Sequence, residues 1–168
     1  MFGFVGRITR DKGINELYTA FRELLKSCPN AWLMMIGKIE NEKSVCSELA
    51  GWAKDEPHVV FCGSTDVIEQ YFSALDVHVL PSYREGFGSV IIEAEAMEVP
   101  VITTAIPGPL EAISPGVTGL SVEKQDVQSL LDAMIRLYDE PDLRAAYGKA
   151  GREYVAERFE QGRFYAET

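Results

Sequence analysis

The stretch from Arg84 to Glu93 carries residue types that could do chemistry, because it sets two carboxylates, Glu85 and Glu93, around a Gly86-Phe87-Gly88 turn. The turn opens into a segment of helical pattern, and the free N–H groups at the start of a helix bind anions. Helical side chains lean toward the N-terminus, so Glu93 should reach the same crevice as Glu85. Such a crevice suits a nucleotide sugar, although a glycine turn before a buried helix also occurs for packing reasons alone.

A second candidate is the loop from Gly6 to Gly13, which contains the cations Arg7 and Lys12. An arginine fork can grip phosphate oxygens and a lysine adds a point charge, so the pair could balance much of a diphosphate. A single pair of this kind is ordinarily a solvated basic loop. Its position after the first predicted strand favours a functional role, because ligands of open parallel sheets bind beyond the carboxyl ends of the strands.

The residues around the Gly-x-Gly turn each suit one part of a nucleotide sugar. Glu93 is suited to accept hydrogen bonds from the two ribose hydroxyls, while Glu85 and the backbone of the turn could hold sugar hydroxyls. The N–H groups of Val90 and Ile91 are the predicted donors to the diphosphate. Glu95 and Glu98, by contrast, are predicted to be surface charges.

Two more strand-end loops are candidates for the nucleobase pocket, one at Lys38 and the other at Ser64 and Thr65. Small residues at strand ends mostly serve turns, which is the competing interpretation. The predicted donor-binding residues are Gly6, Lys38, Ser64, Thr65, Gly86, Phe87, Gly88, Ser89, Val90, Ile91 and Glu93, and the predicted catalytic residues are Arg7, Lys12 and Glu85.

Short apolar runs alternate with longer segments of helical period, which predicts a Rossmann-like α/β fold, a parallel sheet with helices on both faces. Leu17, Ala20, Phe21 and Leu24 form an apolar stripe that a sheet must cover. Two helices are predicted after Asp126, separated at Pro141. The predicted strands are Phe2–Val5, Trp32–Ile36, Val59–Phe61, Asp76–Leu80, Pro100–Thr103 and Gly119–Val122.

Composition narrows the classes of function. The 168 residues suffice for a single domain, 1–168, and the net charge of −10 argues against nucleic-acid binding and against direct membrane contact. No apolar run of 18 residues and no signal-peptide pattern occurs. The three cysteines lack metal-site spacing, which predicts reduced thiols in a cytoplasmic protein. His78 lies in an apolar run and is predicted to be a core or strand-end residue.

The abrupt first strand and the aromatic residues Phe159, Phe164 and Tyr165 near the end favour a chain cut from a longer protein.

Four motifs follow one another in an order that resembles a known family. They are Gly6-Arg7 with Lys12-Gly13, Glu85-Gly86-Phe87-Gly88 with Glu93, Pro100-Val101-Ile102, and Gly116-Val117-Thr118-Gly119-Leu120. Together they resemble the C-terminal, donor-binding domain of the GT-B retaining glycosyltransferases of family 4 (group 1). The variants that look most similar are capsular polysaccharide and lipid-linked oligosaccharide enzymes.

The resemblance implies a nucleotide-diphosphate sugar, a UDP-sugar foremost, held by this lobe without a metal or cofactor. It implies a glycan or lipid-linked acceptor held by an N-terminal lobe that this chain lacks, so that the domain alone would be inactive. By position, Arg7 and Lys12 would stabilise the departing diphosphate, Glu93 the ribose and Glu85 the donor sugar. The full enzyme would be cytoplasmic, or peripheral at the cytoplasmic face of the inner membrane.

One departure and several alternatives accompany this interpretation. Many relatives carry paired glycines where this chain has Pro107-Gly108-Pro109, which stiffens a loop beside the donor. A non-catalytic nucleotide-binding module would explain the missing lobe equally well, and a GT-B sugar-nucleotide epimerase is a third hypothesis. A glycosidase is disfavoured, because both carboxylates share a phosphate-binding loop and have no reason to flank a glycosidic bond.

Overall fold

A computed structural model describes residues 1–41 and 44–166 of the chain, with side chains described as far as residue 158. Its strands are β1 (Phe2–Val5), β2 (Leu33–Ile36), β3 (Val59–Gly63), β4 (Val77–Leu80), β5 (Val101–Thr104) and β6 (Gly119–Val122). Its helices are α1 (Ile14–Ser27), α2 (Ser47–Asp55), α3 (Ile68–Phe72), α4 (Ser89–Ala96), α5 (Pro109–Ala112), α6 (Val127–Asp139) and α7 (Pro141–Ala166), and a 3₁₀ turn, Arg10–Lys12, precedes α1.

The six strands form one parallel sheet in the order β3-β2-β1-β4-β5-β6. This confirms the Rossmann-like fold predicted from the sequence. The order reverses between β1 and β4, where the connections on either side leave in opposite directions. In open α/β sheets the crevice beyond the carboxyl ends at such a reversal is the usual ligand site. The loops that follow β1 and β4 are therefore expected to border a ligand site.

Burial of both sheet faces explains why the strands are continuous apolar runs. Every residue of β1, β4 and β5 is buried. Helix α1 contacts both α2 and α6 on one face, while α4 contacts both α5 and α7 on the other. The stripe on α1 is confirmed, because Leu17, Ala20, Phe21 and Leu24 are all 0% exposed. Burying each of the larger side chains contributes about 1.5–3 kcal/mol.

The segment after β5 differs from the predicted stiff loop. Gly108 caps the short helix α5 and Pro109 occupies its first turn, where the missing N–H of proline is no loss. Gly108 has a φ of +89°, and a Cβ there would lie 1.8 Å from the Gly86 carbonyl oxygen. This segment is therefore pressed against the Gly-x-Gly turn and limits its position.

Two titratable residues, His78 and Glu95, are buried in the core. The prediction was right for the first and wrong for the second. His78 is 0% exposed with its ring edge against Phe72, and burial lowers its pKa to about 3, so it is a neutral core residue as predicted. Glu95 was predicted to be a surface charge but is 0% exposed, because α7 covers that side of α4 and Gly151 lies against the Glu95 side chain. Glu98, by contrast, is at the surface within 3.6 Å of Arg152.

Candidate functional site

A cavity of about 500 Å³ opens at the carboxyl edge of the sheet, at the reversal between β1 and β4. Three segments supply most of its wall: the loop after β1, the loop after β4 and the first turns of α4. The wall includes all four charged residues singled out from the sequence. The lining residues are Val5, Gly6, Arg7, Lys12, Ile68, Leu80, Glu85, Gly86, Phe87, Gly88, Ser89, Val90 and Glu93.

Lys12 and Glu85 form an ion pair in the wall of this cavity. The Lys12 Nζ donates to Glu85 Oε1 at 2.5 Å, and the two side chains are only 15% and 13% exposed. The hydroxyl of Ser82, itself fully buried, donates to the same Glu85 oxygen at 2.9 Å. Lys12 is therefore held in the cavity wall by Glu85, and Ser82 in turn holds that carboxylate in place.

The loops after β1 and β4 are fastened to each other around this ion pair. The Tyr83 N–H donates to the Asp11 carbonyl at 2.8 Å, and the Tyr83 hydroxyl donates to Glu16 Oε1 at 2.6 Å. Burial, together with the hydrogen bond and charge of Glu16, raises the pKa of Tyr83 to about 12. These contacts hold the segments that carry Lys12 and Glu85 next to each other.

The two loops also approach each other closely at Gly13, where φ is +75° and a Cβ would lie 2.0 Å from the Pro81 carbonyl oxygen. We expect Gly13→Ala to destabilise the fold by about 2 kcal/mol or more, since the substitution adds both strain and a backbone clash. Gly51→Ala is the matched control, because a Cβ at this helical position meets no atom within 4 Å. Urea unfolding of both variants measures the difference, and equal stability would contradict the close approach.

The N-terminus of α4 supplies backbone donors to the cavity. Gly88 caps the helix, and within the described chain neither the Ser89 nor the Val90 N–H donates to a backbone carbonyl. The prediction for Ile91 needs correction: its N–H already donates to the Gly88 carbonyl at 2.9 Å, and its side chain is 0% exposed in the core. The two preceding N–H groups are the ones available to an anion.

Glu93 lies one turn into α4, and its side chain lines the cavity together with Glu85. Partial burial, and secondarily the negative charge of Glu69 on α3, raises the pKa of Glu93. Arg7 is more exposed, at 58%, and its guanidinium lies 3.5 Å from Glu40 Oε2. The cavity thus combines three groups: the exposed Arg7, the largely buried Lys12 and the Glu93 carboxylate on α4.

The structure does not bring the predicted nucleobase residues to this cavity. Lys38, Ser64 and Thr65 are absent from its described lining. Lys38 has an exposed side chain, and its carbonyl accepts from the Ile8 N–H at 2.9 Å. The Thr65 hydroxyl accepts from the Val67 N–H at 3.0 Å, an ordinary turn contact, and Ser64 is exposed.

Sequence reasoning missed Ser82, Tyr83, Glu16 and Ile68. The first two directly follow β4, so the strand-end rule could have found them. Glu16 and Ile68 lie on helices and carry no signal of their own in the sequence.

Comparison with known proteins identifies the family. The family model for glycosyl transferases group 1 matches residues 1–154. The capsular polysaccharide biosynthesis glycosyltransferase CapM of Staphylococcus aureus is 36% identical over 159 residues, which are 95% of this chain and 42% of that protein. A GDP-mannose-dependent monoacylated alpha-(1-6)-phosphatidylinositol monomannoside mannosyltransferase of Corynebacterium glutamicum is 34% identical, with 89% of this chain and 40% of that protein covered. The chain therefore spans about 40% of the length of these curated relatives.

Solved structures agree with the fold. Sucrose-phosphate synthase from Thermosynechococcus elongatus superposes with a TM-score of 0.81 at 33% identity, covering 99% of this chain and 44% of that one. The C-terminal domain of the group 1 glycosyl transferase LpcC from Francisella tularensis gives a TM-score of 0.85 at 28% identity, covering 94% and 85%. No helix in the described part of the chain has the length and apolar character needed to span a bilayer. The fold is one Rossmann-like lobe of the GT-B architecture, and the chain belongs to the group 1 family of glycosyl transferases.

Proposed function

We propose that this chain is the C-terminal, donor-binding lobe of a retaining glycosyltransferase that takes the sugar from a nucleotide-diphosphate sugar, a UDP-sugar foremost. The observation that carries the proposal is the meeting of Arg7, Lys12, Glu85 and Glu93 with the N-terminus of α4 in one cavity. Cations, free N–H groups and carboxylates are what a diphosphate flanked by two sugars requires.

The diphosphate is assigned to the N–H groups of Ser89 and Val90, with Lys12 and Arg7 as its counter-charges. Lys12 lies at the wall with little exposure, so its charge is poorly screened by water. Arg7, on the rim, can turn from Glu40 toward a phosphate because its present contact is long, at 3.5 Å.

The two sugars are assigned to the two carboxylates. Glu93, one turn into α4, accepts from the ribose hydroxyls, and Glu85 with the backbone of the Gly86-Phe87-Gly88 turn holds the transferred sugar. Ser82 keeps one Glu85 oxygen in place. Fixed acceptors of this kind orient a polyhydroxylated ligand better than flexible surface carboxylates do.

The proposed mechanism of sugar transfer depends on the negative charge that develops on the leaving diphosphate. As the bond between the anomeric carbon and the phosphate oxygen breaks, that oxygen keeps the bonding electrons and negative charge accumulates on the diphosphate. The acceptor hydroxyl oxygen bonds to the same carbon and passes its proton to the departing phosphate oxygen. Lys12, Arg7 and the two N–H groups face the side on which this negative charge forms, so they act mainly in the transition state. The acceptor is held by an N-terminal lobe, and the isolated lobe does not turn over.

A role in cell-surface glycan synthesis is supported by the capsular relative and by the phosphatidylinositol mannoside relative, as each is named. We place the full enzyme in the cytoplasm, with its acceptor lobe meeting a lipid-linked acceptor at the inner face of the membrane. The acidic charge of −10 leaves this lobe facing away from anionic lipids.

Calorimetric titration of the chain with UDP, GDP and ADP tests the proposal. We expect saturable binding of a nucleoside diphosphate, with the tightest of the three identifying the base. Arg7→Ala and Glu93→Ala should each weaken that binding about tenfold, the loss typical of one charge-assisted contact. Arg136→Ala is the matched control, because Arg136 is exposed on α6 and pairs with Glu140.

Two outcomes would count against the proposal. The first is an absence of binding to all three nucleotides, and the second is binding that both cavity variants leave unchanged. Sugar transfer by the full-length protein, assayed beside the isolated chain, then divides a transferase from a binding module without catalysis.

A further inference from the structure

A second cavity, of about 260 Å³, lies on the other side of the loop that follows β1. Ile8 and Ile39 form its floor through a parallel bridge between the loops after β1 and β2, while Tyr18 of α1, Phe61 of β3 and Gly51 of α2 form its walls. Arg7 faces the first cavity and Ile8 the second, so the two are separated by a single segment of chain. This cavity does not belong to the site described above.

Tyr18 places a polar group at the second cavity that bonds to no other described residue. The side chain is only 2% exposed and lines the cavity, and its hydroxyl has no hydrogen-bond partner in the described chain. Among the described residues, the Tyr18 hydroxyl is not one of the polar atoms completely shielded from water, so the small exposure of this side chain lies at the cavity. Burial also raises the pKa of Tyr18, so the group remains a neutral donor and acceptor at ordinary pH. A ligand in the cavity can therefore form a hydrogen bond with this hydroxyl without breaking a contact within the described chain.

The rest of the lining indicates the chemistry of that ligand. Ile8, Ile39 and Phe61 make the interior apolar, and two of the lining side chains, Tyr18 and Phe61, are aromatic. Lys54 is the one charged residue of the described lining, and it forms no ion pair with a described residue. The volume exceeds the roughly 150 Å³ that holds a benzene ring in an apolar cavity. A substituted ring with one negative charge fits these features.

We propose that this cavity binds a small hydroxylated aromatic carboxylate. Its ring lies between the apolar walls, its hydroxyl pairs with Tyr18 and its carboxylate meets Lys54. The proposal is independent of the proposed function, because none of its residues except the separating segment borders the first cavity.

Three probes test it: 4-hydroxyphenylacetate, phenylacetate without the hydroxyl, and 4-hydroxyphenylethanol without the charge. Each is titrated into the ¹⁵N-labelled 168-residue chain and followed by amide chemical shifts. We expect saturable shifts at Tyr18, Gly51 and Phe61, with 4-hydroxyphenylacetate binding tightest. Tyr18→Phe should weaken that probe about three- to tenfold and leave phenylacetate unchanged. Lys54→Gln should weaken both carboxylates but not the alcohol.

Gly51→Phe is the blocking variant, because Gly51 lines the cavity, a Cβ there meets no atom within 4 Å, and the added ring can occupy the cavity. It should abolish binding of all three probes. Tyr18→Phe removes a hydroxyl that bonds to nothing described, so urea unfolding should show the fold intact. Shifts that map to Gly86–Glu93, binding that survives Gly51→Phe, or no saturable shift at all would overturn the proposal. Nucleotide calorimetry on the same variants should be unchanged, which keeps a failure here separate from a failure of the proposed function.

Discussion

Replacing Lys12 by alanine should slow sugar transfer by the full-length enzyme about 100-fold or more, the order of loss when one preorganised donor is removed from a developing oxyanion. Lys12 is the least exposed cation of the cavity and is held at 2.5 Å from Glu85, so its charge is already in place when the diphosphate leaves. The loss should fall mainly on kcat, because the charge it balances is greatest in the transition state. Steady-state kinetics with the donor varied measures the division between kcat and KM.

Lys26→Ala is the control for this prediction. Lys26 is a surface lysine on α1 whose partner, Glu23, is on the same helix, so its removal should leave both constants unchanged. A Lys12→Ala enzyme that loses only donor affinity would show that Lys12 binds the ground state and the transition state equally. A variant with unchanged kinetics would remove Lys12 from the mechanism.

Replacing Glu95 by glutamine should stabilise the domain at alkaline pH by several kcal/mol. Burial raises the pKa of Glu95 to about 8, against an ordinary value of 4.5, while interaction with the Thr118 hydroxyl opposes part of the rise. No hydrogen bond of acceptable geometry reaches either carboxylate oxygen in the described chain. The folded domain therefore holds the proton at pH values where the unfolded chain has lost it.

The direction in which the free energy of unfolding changes with pH follows from that difference in bound protons. Below pH 4.5 both states are protonated and the wild type has its full stability. Between 4.5 and about 8 the wild type loses stability with a slope of about 1.4 kcal/mol per pH unit, and above 8 the loss levels off. The glutamine variant lacks this titration, so its advantage should grow to about 3–5 kcal/mol by pH 9.

Urea unfolding at pH 5, 6.5, 8 and 9 measures this difference, and subtracting wild type from variant cancels the other titrating groups. Glu98→Gln is the control, since Glu98 is an exposed carboxylate just beyond the end of α4 and pairs with Arg152. An advantage that does not change with pH would mean that Glu95 is ionised in the folded protein.

Much of the fold could be predicted because buried parallel strands are continuous apolar runs between turn residues. All six strands were located to within about two residues at each end. The boundary predicted at Asp126 from the helical pattern is also correct, since that side chain accepts from the Ser129 N–H and caps α6. The short helix α5 escaped prediction, since four residues cannot display a helical period. The burial of Glu95 escaped it too, because only the docking of α7 removes the solvent from that side of α4.

The residues of the candidate site were likewise predictable from the sequence only in part. The meeting of Arg7 and Lys12 with Glu85 and Glu93 follows from a general rule, that strand-end loops converge where the strand order reverses. Thr65 does not line this cavity because β3 lies two strand spacings from β1, about 10 Å to the side. A linear sequence gives the strands but not their order in the sheet, so it could not separate the two groups.

The pairing of Lys12 with Glu85 bears on the entropy of ligand binding. Glu85 is a counter-ion within the domain, so the Lys12 side chain is already ordered in the folded protein. If a diphosphate binds as proposed, it meets a lysine whose side-chain entropy was lost during folding, so binding does not have to immobilise that long side chain again. Part of the entropic cost of holding an anion is thus incurred when the domain folds.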